Sequence, residues 1–282
     1  MSERAPEEFP CKRSEPLKLP RPPSRASEGF LSTMAQGMWA EEKLREAINA
    51  TQHFIAIKYG QSRYNHELVS SKDAWRNYVT NLYNQMSKYG KRPDLLVFKK
   101  NDMTSLSPLP EDISERAEED IKDIVFKSIA GIECRSSSYY YDIYVKERGD
   151  EGKMLSITVK DEDIDKLIKW RETYCGLKPI YYVQLFFDKG FYISFDEILR
   201  IIDRAKTTRI EHYSYTMERK TGKKTHYIGV SHAKIGLIAT ENPTVTANTI
   251  RGWNGKVYVI RTPKGGRFKL SDEFVQELLS IA

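Results

Sequence analysis

Two short apolar runs, each carrying an acidic residue, decide the fold: GKRPDLLVFKK at 90–100 and KSIAGIECRSSSY at 127–139. Both runs predict strands. Because alternate side chains of a strand share a face, Glu133 and Arg135 point to one side while the residues between them point into the packing. If Asp94 begins a neighbouring strand, two carboxylates and one cation meet at one edge of a sheet.

This grouping suits phosphodiester hydrolysis. Negative charge accumulates on the phosphate oxygens and water must become nucleophilic, and a Mg²⁺ ion held by carboxylates can serve both needs. The spacing Asp-x38-Glu-x-Arg from Asp94 to Arg135 is weak by itself. Acidic residues at strand ends are more often solvated side chains without a catalytic role.

Hydrophobic periodicity predicts the other elements. Helices are expected at 38–50, 72–88, 114–128, 161–174, 194–202 and 271–281, and strands at 53–60, 93–98, 130–137, 155–160 and 180–187. Strand 180–187 is expected to be central because both its faces are apolar. Ser114 and Ser194 are expected to cap their helices, and segment 136–153 is either an insertion or a helix with a loop.

Changes in composition divide the chain into three parts. Residues 1–29 are rich in proline and predict a flexible N-terminal arm. Residues 30–205 hold the helices and strands of an α/β core. Residues 206–282 change to basic, aromatic and glycine-containing runs, which predict a β-rich C-terminal part packed on the core and a candidate DNA-recognition region.

Composition excludes several classes of protein. None of the apolar runs in the 282 residues approaches the roughly 20 residues needed to span a bilayer. The three cysteines, Cys11, Cys134 and Cys175, lie far apart and indicate neither a disulfide framework nor a zinc site. A soluble intracellular protein is therefore expected. The formal charge of +6 and the pI near 9.0 favour a polyanionic partner only modestly.

The two apolar runs, followed by LSITVKDEDIDKLIKW (155–170) and PIYYVQLFFDKGFYISFDEIL (179–199), resemble type II restriction endonucleases of the PD-(D/E)XK superfamily. They are most similar to the group named for AccI. The resemblance runs in order over roughly residues 37 to 203. It implies a mixed sheet flanked by helices, here with a β-rich C-terminal elaboration.

The resemblance also implies roles for single residues. Asp94 matches the acidic residue of the family's PD element and Glu133 the carboxylate of its (D/E)XK element, so both are expected to ligate Mg²⁺. The backbone carbonyl of Cys134 is a further expected ligand. Glu41, in GMWAE, matches a first-helix G-x-x-x-E whose glutamate reaches the metal directly or through water, or is a surface residue.

One position departs from the family pattern. Arg135 stands where the motif usually places lysine, and guanidinium stays protonated, so it cannot readily exchange protons with water. Lys160 ends the polar face of strand 155–160 and is expected to supply an ammonium group if that strand pairs beside the catalytic one. It could equally be a surface lysine. Gln184 is either a polar active-site residue or a satisfied core glutamine.

Double-stranded DNA is the implied partner, in a homodimer suited to cutting both strands of a symmetric site. Candidate DNA contacts are the aromatic and basic residues Tyr139, Tyr140, Arg219, Lys220, Lys223 and Lys224. A cytoplasmic location in a bacterium or archaeon and a cognate methyltransferase in the host follow from the resemblance. Two alternatives stay open: another PD-(D/E)XK nuclease for repair, recombination or transposition, and a catalytically degenerate DNA-binding protein.

Overall fold

The structure is a computed structural model, and it describes residues 28–61, 72–102, 110–149, 155–174, 178–219, 221–251 and 257–281. Its helices are α1 (Glu28–Asn49), α2 (Lys72–Tyr89), α3 (Glu118–Lys127), α4 (Tyr141–Arg148), α5 (Asp161–Thr173), α6 (Phe195–Arg204) and α7 (Asp272–Ser280). Its strands are β1 (Phe54–Lys58), β2 (Leu95–Lys99), β3 (Ala130–Ser136), β4 (Ser156–Lys160), β5 (Ile180–Leu185), β6 (Lys189–Ser194), β7 (Tyr213–Met217), β8 (Lys224–Gly229), β9 (Lys234–Arg251) and β10 (Val257–Leu270). The α/β class is confirmed.

Two sheets organise these strands. The larger has seven strands in the order β1-β2-β3-β5-β6-β9-β10, and the smaller has the order β4-β8-β7. Strand β3 runs parallel to β5, while the other neighbouring pairs are antiparallel. The predicted central strand β5 lies in the middle of the large sheet. Each sheet contains strands from both sides of residue 205, so the C-terminal strands are integral to the fold.

The large sheet is packed on both faces because its central strands are apolar on both. Tyr181 and Val183 of β5 belong to the core that includes α1 and α7. Tyr182, between them, belongs to the core that includes α5 and α6 together with the smaller sheet. Side chains of successive strand residues point to opposite faces, which explains the uninterrupted apolar run. Helices α1 and α5 therefore cover opposite faces of the same strands.

Several predicted boundaries change. Helix α1 begins at Glu28, inside the predicted arm, whose residues 1–27 lie outside the described part. Helix α3 begins at Glu118 with Ala117 at its N-cap position, so Ser114 lies too far upstream to cap it. The cap at Ser194 is confirmed, since its Oγ accepts from the N–H of Glu197 at 3.2 Å. Strand β6 was not predicted.

A buried polar network fixes the chain just before Asp94. Arg92 is 4% exposed, and its Nε lies 2.5 Å from Glu118 Oε2. Its two terminal nitrogens donate to the carbonyls of Ser114 and Arg116 at 3.0 and 2.9 Å. A buried charge needs such pairing to offset its lost hydration. Arg92 therefore ties the entry of β2 to the segment that leads into α3.

None of the helices in the described part of the chain is long and apolar enough to cross a membrane.

Candidate active site

Strand pairing places Asp94 beside Glu133. Leu95 of β2 pairs with Ile132 of β3 in an antiparallel register, so the preceding Asp94 stands opposite Glu133. Asp94 Oδ2 accepts a hydrogen bond of 2.7 Å from the N–H of Cys134. This bond orients the carboxylate toward β3 before any ligand binds.

The backbone of Asp94 is held from the other side by β1. Its carbonyl accepts from the N–H groups of Tyr59 and Gly60 at 3.0 and 3.1 Å. A Cβ on Gly60 would lie 2.8 Å from Asp94 Cα, which is too close for any side chain. Glycine at this position therefore lets the chain that follows β1 lie close to Asp94.

Glu133 is the most deeply buried of the site's carboxylates, with 0% of its side chain exposed. Its Oε2 contacts Lys91 Nζ and lies 3.2 Å from Arg135 Nη2. Its Oε1 is buried and lacks a hydrogen-bond partner among the described residues. An unpaired buried carboxylate oxygen is costly, so it marks a position that a bound group could satisfy.

Arg135 lies among the site's three carboxylates. Its Nη1 is 4.0 Å from Asp94 Oδ2 and donates to the carbonyl of Cys134 at 3.1 Å, while its Nη2 is 3.5 Å from Asp163 Oδ2. Burial alone lowers its pKa, but Glu133 and Asp94 outweigh burial and raise it above the usual value. Arg135 therefore stays charged and neutralises its carboxylate neighbours.

The sequence reasoning missed two residues of this cluster. Lys91 Nζ contacts Glu133 and lies 3.8 Å from Asp163 Oδ2. The N–H of Lys91 donates to the carbonyl of Lys166 at 3.0 Å, which holds the segment against α5. Asp163 stands in the first turn of α5 and is 6% exposed. Lys91 precedes Asp94 by only three residues, and this short spacing could have indicated that it belongs to the site. Asp163 joins the site only because α5 packs there, which its position in the sequence does not indicate.

Glu41 reaches the site from α1, on the opposite face of the sheet from α5. Burial is the main reason that its pKa is raised to about 8; the nearby Asp94 and Glu133 carboxylates add to the rise, and Lys58 and Arg135 oppose it. Burial is likewise the main reason that the pKa of Glu133 is raised to about 7, with a further contribution from Asp94 and opposition from Lys91 and Arg135. The charged forms of both carboxyls are thus disfavoured, a cost that a bound cation relieves.

The structure does not bring Lys160 to this cluster. Strand β4 belongs to the smaller sheet and pairs with β8, where Lys160 stands opposite Thr225. The neighbours of β3 are β2 and β5 instead. The side chain of Lys160 is exposed. The expectation that Lys160 enters the site from a strand paired beside β3 is therefore wrong. The ammonium group that contacts Glu133 belongs to Lys91.

The candidate DNA contacts are dispersed. Tyr139 is 48% exposed, whereas the hydroxyl of Tyr140 donates to the carbonyl of Pro243 at 3.1 Å. Arg219 is exposed, and Lys220 lies outside the described residues. Lys223 pairs with Glu162 at 3.5 Å, and Lys224 Nζ stands 4.4 Å from the ring centroid of Tyr215.

Gln184 is buried beside the active-site strand. It pairs with Arg135 across the parallel register and donates to Ser137 Oγ at 2.9 Å. This bond matches the expectation of a satisfied core glutamine.

The donor set fits Mg²⁺ in part. Among the described residues, no three His, Cys, Asp or Glu side chains are already arranged around a metal position. Mg²⁺ needs fewer, because it usually keeps several waters and takes one or two protein carboxylates with substrate phosphate oxygens. Asp94 and the open Oε1 of Glu133 are of that kind. The carbonyl of Cys134 already accepts from Arg135.

The raised pKa of Glu41 predicts a pH-dependent effect on stability. A carboxyl whose folded pKa is raised stabilises the fold fully below its usual pKa of 4.5 and loses that contribution as pH rises through about 8. Without divalent cations, Glu41→Gln should therefore melt above the wild type near pH 9 and close to it near pH 5. Glu46→Gln, an exposed change on the same helix, should show no such pH dependence. A melting-temperature difference independent of pH would contradict the assignment.

A mixed sheet flanked by helices, in which two carboxylates and a guanidinium meet where two neighbouring strands pair, is the arrangement expected of a nuclease. The chain belongs to the AccI restriction endonuclease family, which it matches over residues 10–153 and 145–282. The predicted resemblance to the AccI group is thereby confirmed.

Comparison with solved structures finds a nuclease from a fusselovirus, at 10% sequence identity and a TM-score of 0.25. That alignment covers 51% of this chain and 60% of the viral chain. The curated proteins contain no match to this chain.

Proposed function

We propose that this protein is a Mg²⁺-dependent type II restriction endonuclease of PD-(D/E)XK type, which hydrolyses both strands of a short specific duplex site. The observation that carries the proposal is the cluster of Asp94, Glu133 and Arg135 on two paired strands. Family membership supplies the substrate class, and the cluster supplies the chemistry.

Asp94, Glu133 and the Cys134 carbonyl would hold the metal, with Glu41 nearby. Bound Mg²⁺ would lower the pKa of a coordinated water and neutralise charge developing on the phosphate. Arg135 is placed to bind the scissile phosphate, since its guanidinium lies among the carboxylates, is 28% exposed and stays protonated. The ammonium of Lys91 is placed to hold Glu133 and to exchange a proton with water at this position.

Cutting both strands of a symmetric site calls for two active sites, so the proposal includes a homodimer with twofold symmetry. A host methyltransferase acting separately would protect the same sequence, and both would act on DNA in the cytoplasm of a bacterium or archaeon.

Incubating plasmid DNA with the purified protein and Mg²⁺ tests the proposal directly. We expect discrete fragments whose ends, when sequenced, share one recognition sequence and carry 5′-phosphates. Nicking of branched DNA without discrete fragments would favour a repair or recombination nuclease. DNA binding without any cleavage would favour a degenerate nuclease fold, for which Arg135 in the motif position is the specific argument.

A further inference from the structure

The long hairpin formed by β9 and β10 extends well beyond the large sheet. Strand β6 pairs with β9 only over residues 234–238, whereas the ladder between β9 and β10 continues to the pair Arg251 and Val257. We call the described residues 241–251 and 257–269 the ribbon. At about 3.3 Å per residue its paired part is roughly 35 Å long, close to one turn of B-form DNA.

One face of the ribbon packs on α1, which fixes its position relative to the active site. Trp39 Nε1 donates to the carbonyl of Gly265 at 3.0 Å, and Ser32 Oγ accepts from the N–H of Arg261 at 3.1 Å. The rings of Trp39 and Phe268 also pack edge to face, with their centroids 6.0 Å apart. Trp39 precedes Glu41 by two residues, so the ribbon is anchored on the helix that carries an active-site carboxylate.

The opposite face of the ribbon is open except at the buried Pro243 and Pro263. Val245, Val257 and Val259 are 45%, 57% and 55% exposed. Arg261 and Lys269 occur at alternate positions of the same strand as Val257 and Val259, so they share this face. Both are exposed, and neither has an ion-pair partner among those found in the described part of the chain. Arg267 shares the face and pairs weakly with Glu241 at 3.5 Å.

The charge of the ribbon identifies its partner. The residues of the ribbon include five Lys or Arg and one Glu, a formal charge of +4 against +6 for the whole chain. A second copy of the ribbon would bring like charges together, whereas the phosphates of a duplex attract them. A two-stranded ribbon fits the major groove of B-form DNA, where Arg and Lys can bind guanine edges and apolar side chains can contact thymine methyl groups.

We propose that the open face of the ribbon binds duplex DNA in its major groove and that Arg261, Arg267 and Lys269 contact the duplex. This proposal rests on the proposed function, because it names the surface that presents DNA to the nuclease site. The main DNA contact would then lie on the ribbon, at the end of the large sheet. The β7–β8 hairpin is less suited to this role, because Lys223 pairs with Glu162 and Lys224 lies over the ring of Tyr215.

The test is DNA binding by the full chain in EDTA, measured by fluorescence anisotropy between about 50 and 200 mM salt. The duplex probe spans about three helical turns, roughly 30 base pairs. The variant is Arg261→Ala, Arg267→Ala and Lys269→Ala combined. The matched control combines Lys127→Ala, Arg200→Ala and Arg204→Ala, three exposed cations on α3 and α6, which pack on other strands than the ribbon.

We expect the ribbon variant to bind at least about tenfold more weakly. Its slope of log affinity against log salt should be smaller by up to about 2.7, at about 0.9 per lost phosphate contact, while the control keeps the wild-type slope. Equal affinity and slope in variant and wild type would overturn the proposal. So would a variant that binds DNA normally but sediments as a monomer where the wild type is a dimer, because the face would then join two copies.

The two proposals fail separately. Ribbon-dependent binding without cleavage of any plasmid in Mg²⁺ would remove the proposed nuclease activity and leave the ribbon assignment standing. Cleavage at the wild-type rate by a ribbon variant with unchanged binding would remove the ribbon assignment and leave the proposed nuclease activity standing. Circular dichroism melting of each variant establishes that it is folded before binding is compared.

Discussion

Glu133→Gln should abolish cleavage while leaving DNA binding largely intact. Glutamine has nearly the same volume as glutamate, so the change removes a charge from a fully buried position without opening a cavity. The loss of a metal-ligand charge removes both the affinity for Mg²⁺ and the electrostatic support of the transition state. Asp94→Asn should behave in the same way, although its Oδ2 also accepts from the N–H of Cys134.

The measurements are plasmid cleavage in Mg²⁺ and duplex binding in EDTA. Glu172→Gln, an exposed change on α5, is the matched control and should cleave like the wild type. Burial raises the pKa of Glu133 to about 7, so its ionised form destabilises the fold above that pH. The melting temperature of Glu133→Gln above pH 7 should therefore be at or above that of the wild type. Substantial cleavage by either active-site variant would remove the assignment of Asp94 and Glu133.

The sequence predicted the local features of this site well and its long-range features poorly. Alternation along one strand was enough to put Glu133 and Arg135 on one face and Cys134 in the core, and the structure agrees. The side-by-side pairing of β2 and β3, which α3 separates in the chain, was expected only on the condition that Asp94 begins a neighbouring strand. The first inference needed only local periodicity.

Strand order could not be read in the same way. Strand β4 follows β3 in the chain, which made Lys160 a candidate, but β5 takes the place beside β3. Strand β4 pairs instead with β8, far along the chain, where Val159 stands opposite His226. Alternation states which residues share a face, but it carries no information about which strand lies next. Asp163 was missed for the same reason, since only the docking of α5 brings it to Arg135.

Lys91→Met should lower the single-turnover cleavage rate at least about a hundredfold, the usual scale for one electrostatic or acid–base participant. Lys91 Nζ contacts Glu133, which is where an ammonium must stand to act on water near that carboxylate. Lys160→Met, which changes an exposed side chain on the other sheet, should cleave at nearly the wild-type rate. Equal rates for Lys91→Met and the wild type, or a large loss in Lys160→Met, would reverse this assignment.

A double variant separates a role in chemistry from a role in folding. Arg135→Lys restores the lysine usual at the motif position and should retain measurable activity, since Arg135 shares the face of Glu133. If the site requires an ammonium that exchanges protons, Lys91→Met combined with Arg135→Lys should cleave faster than Lys91→Met alone. If Lys91 only neutralises Glu133 for folding, Lys91→Arg should be fully active and the double variant should show no recovery. The pH dependence of the single-turnover rate provides the second readout, because a change of proton donor moves the profile and a loss of stability does not.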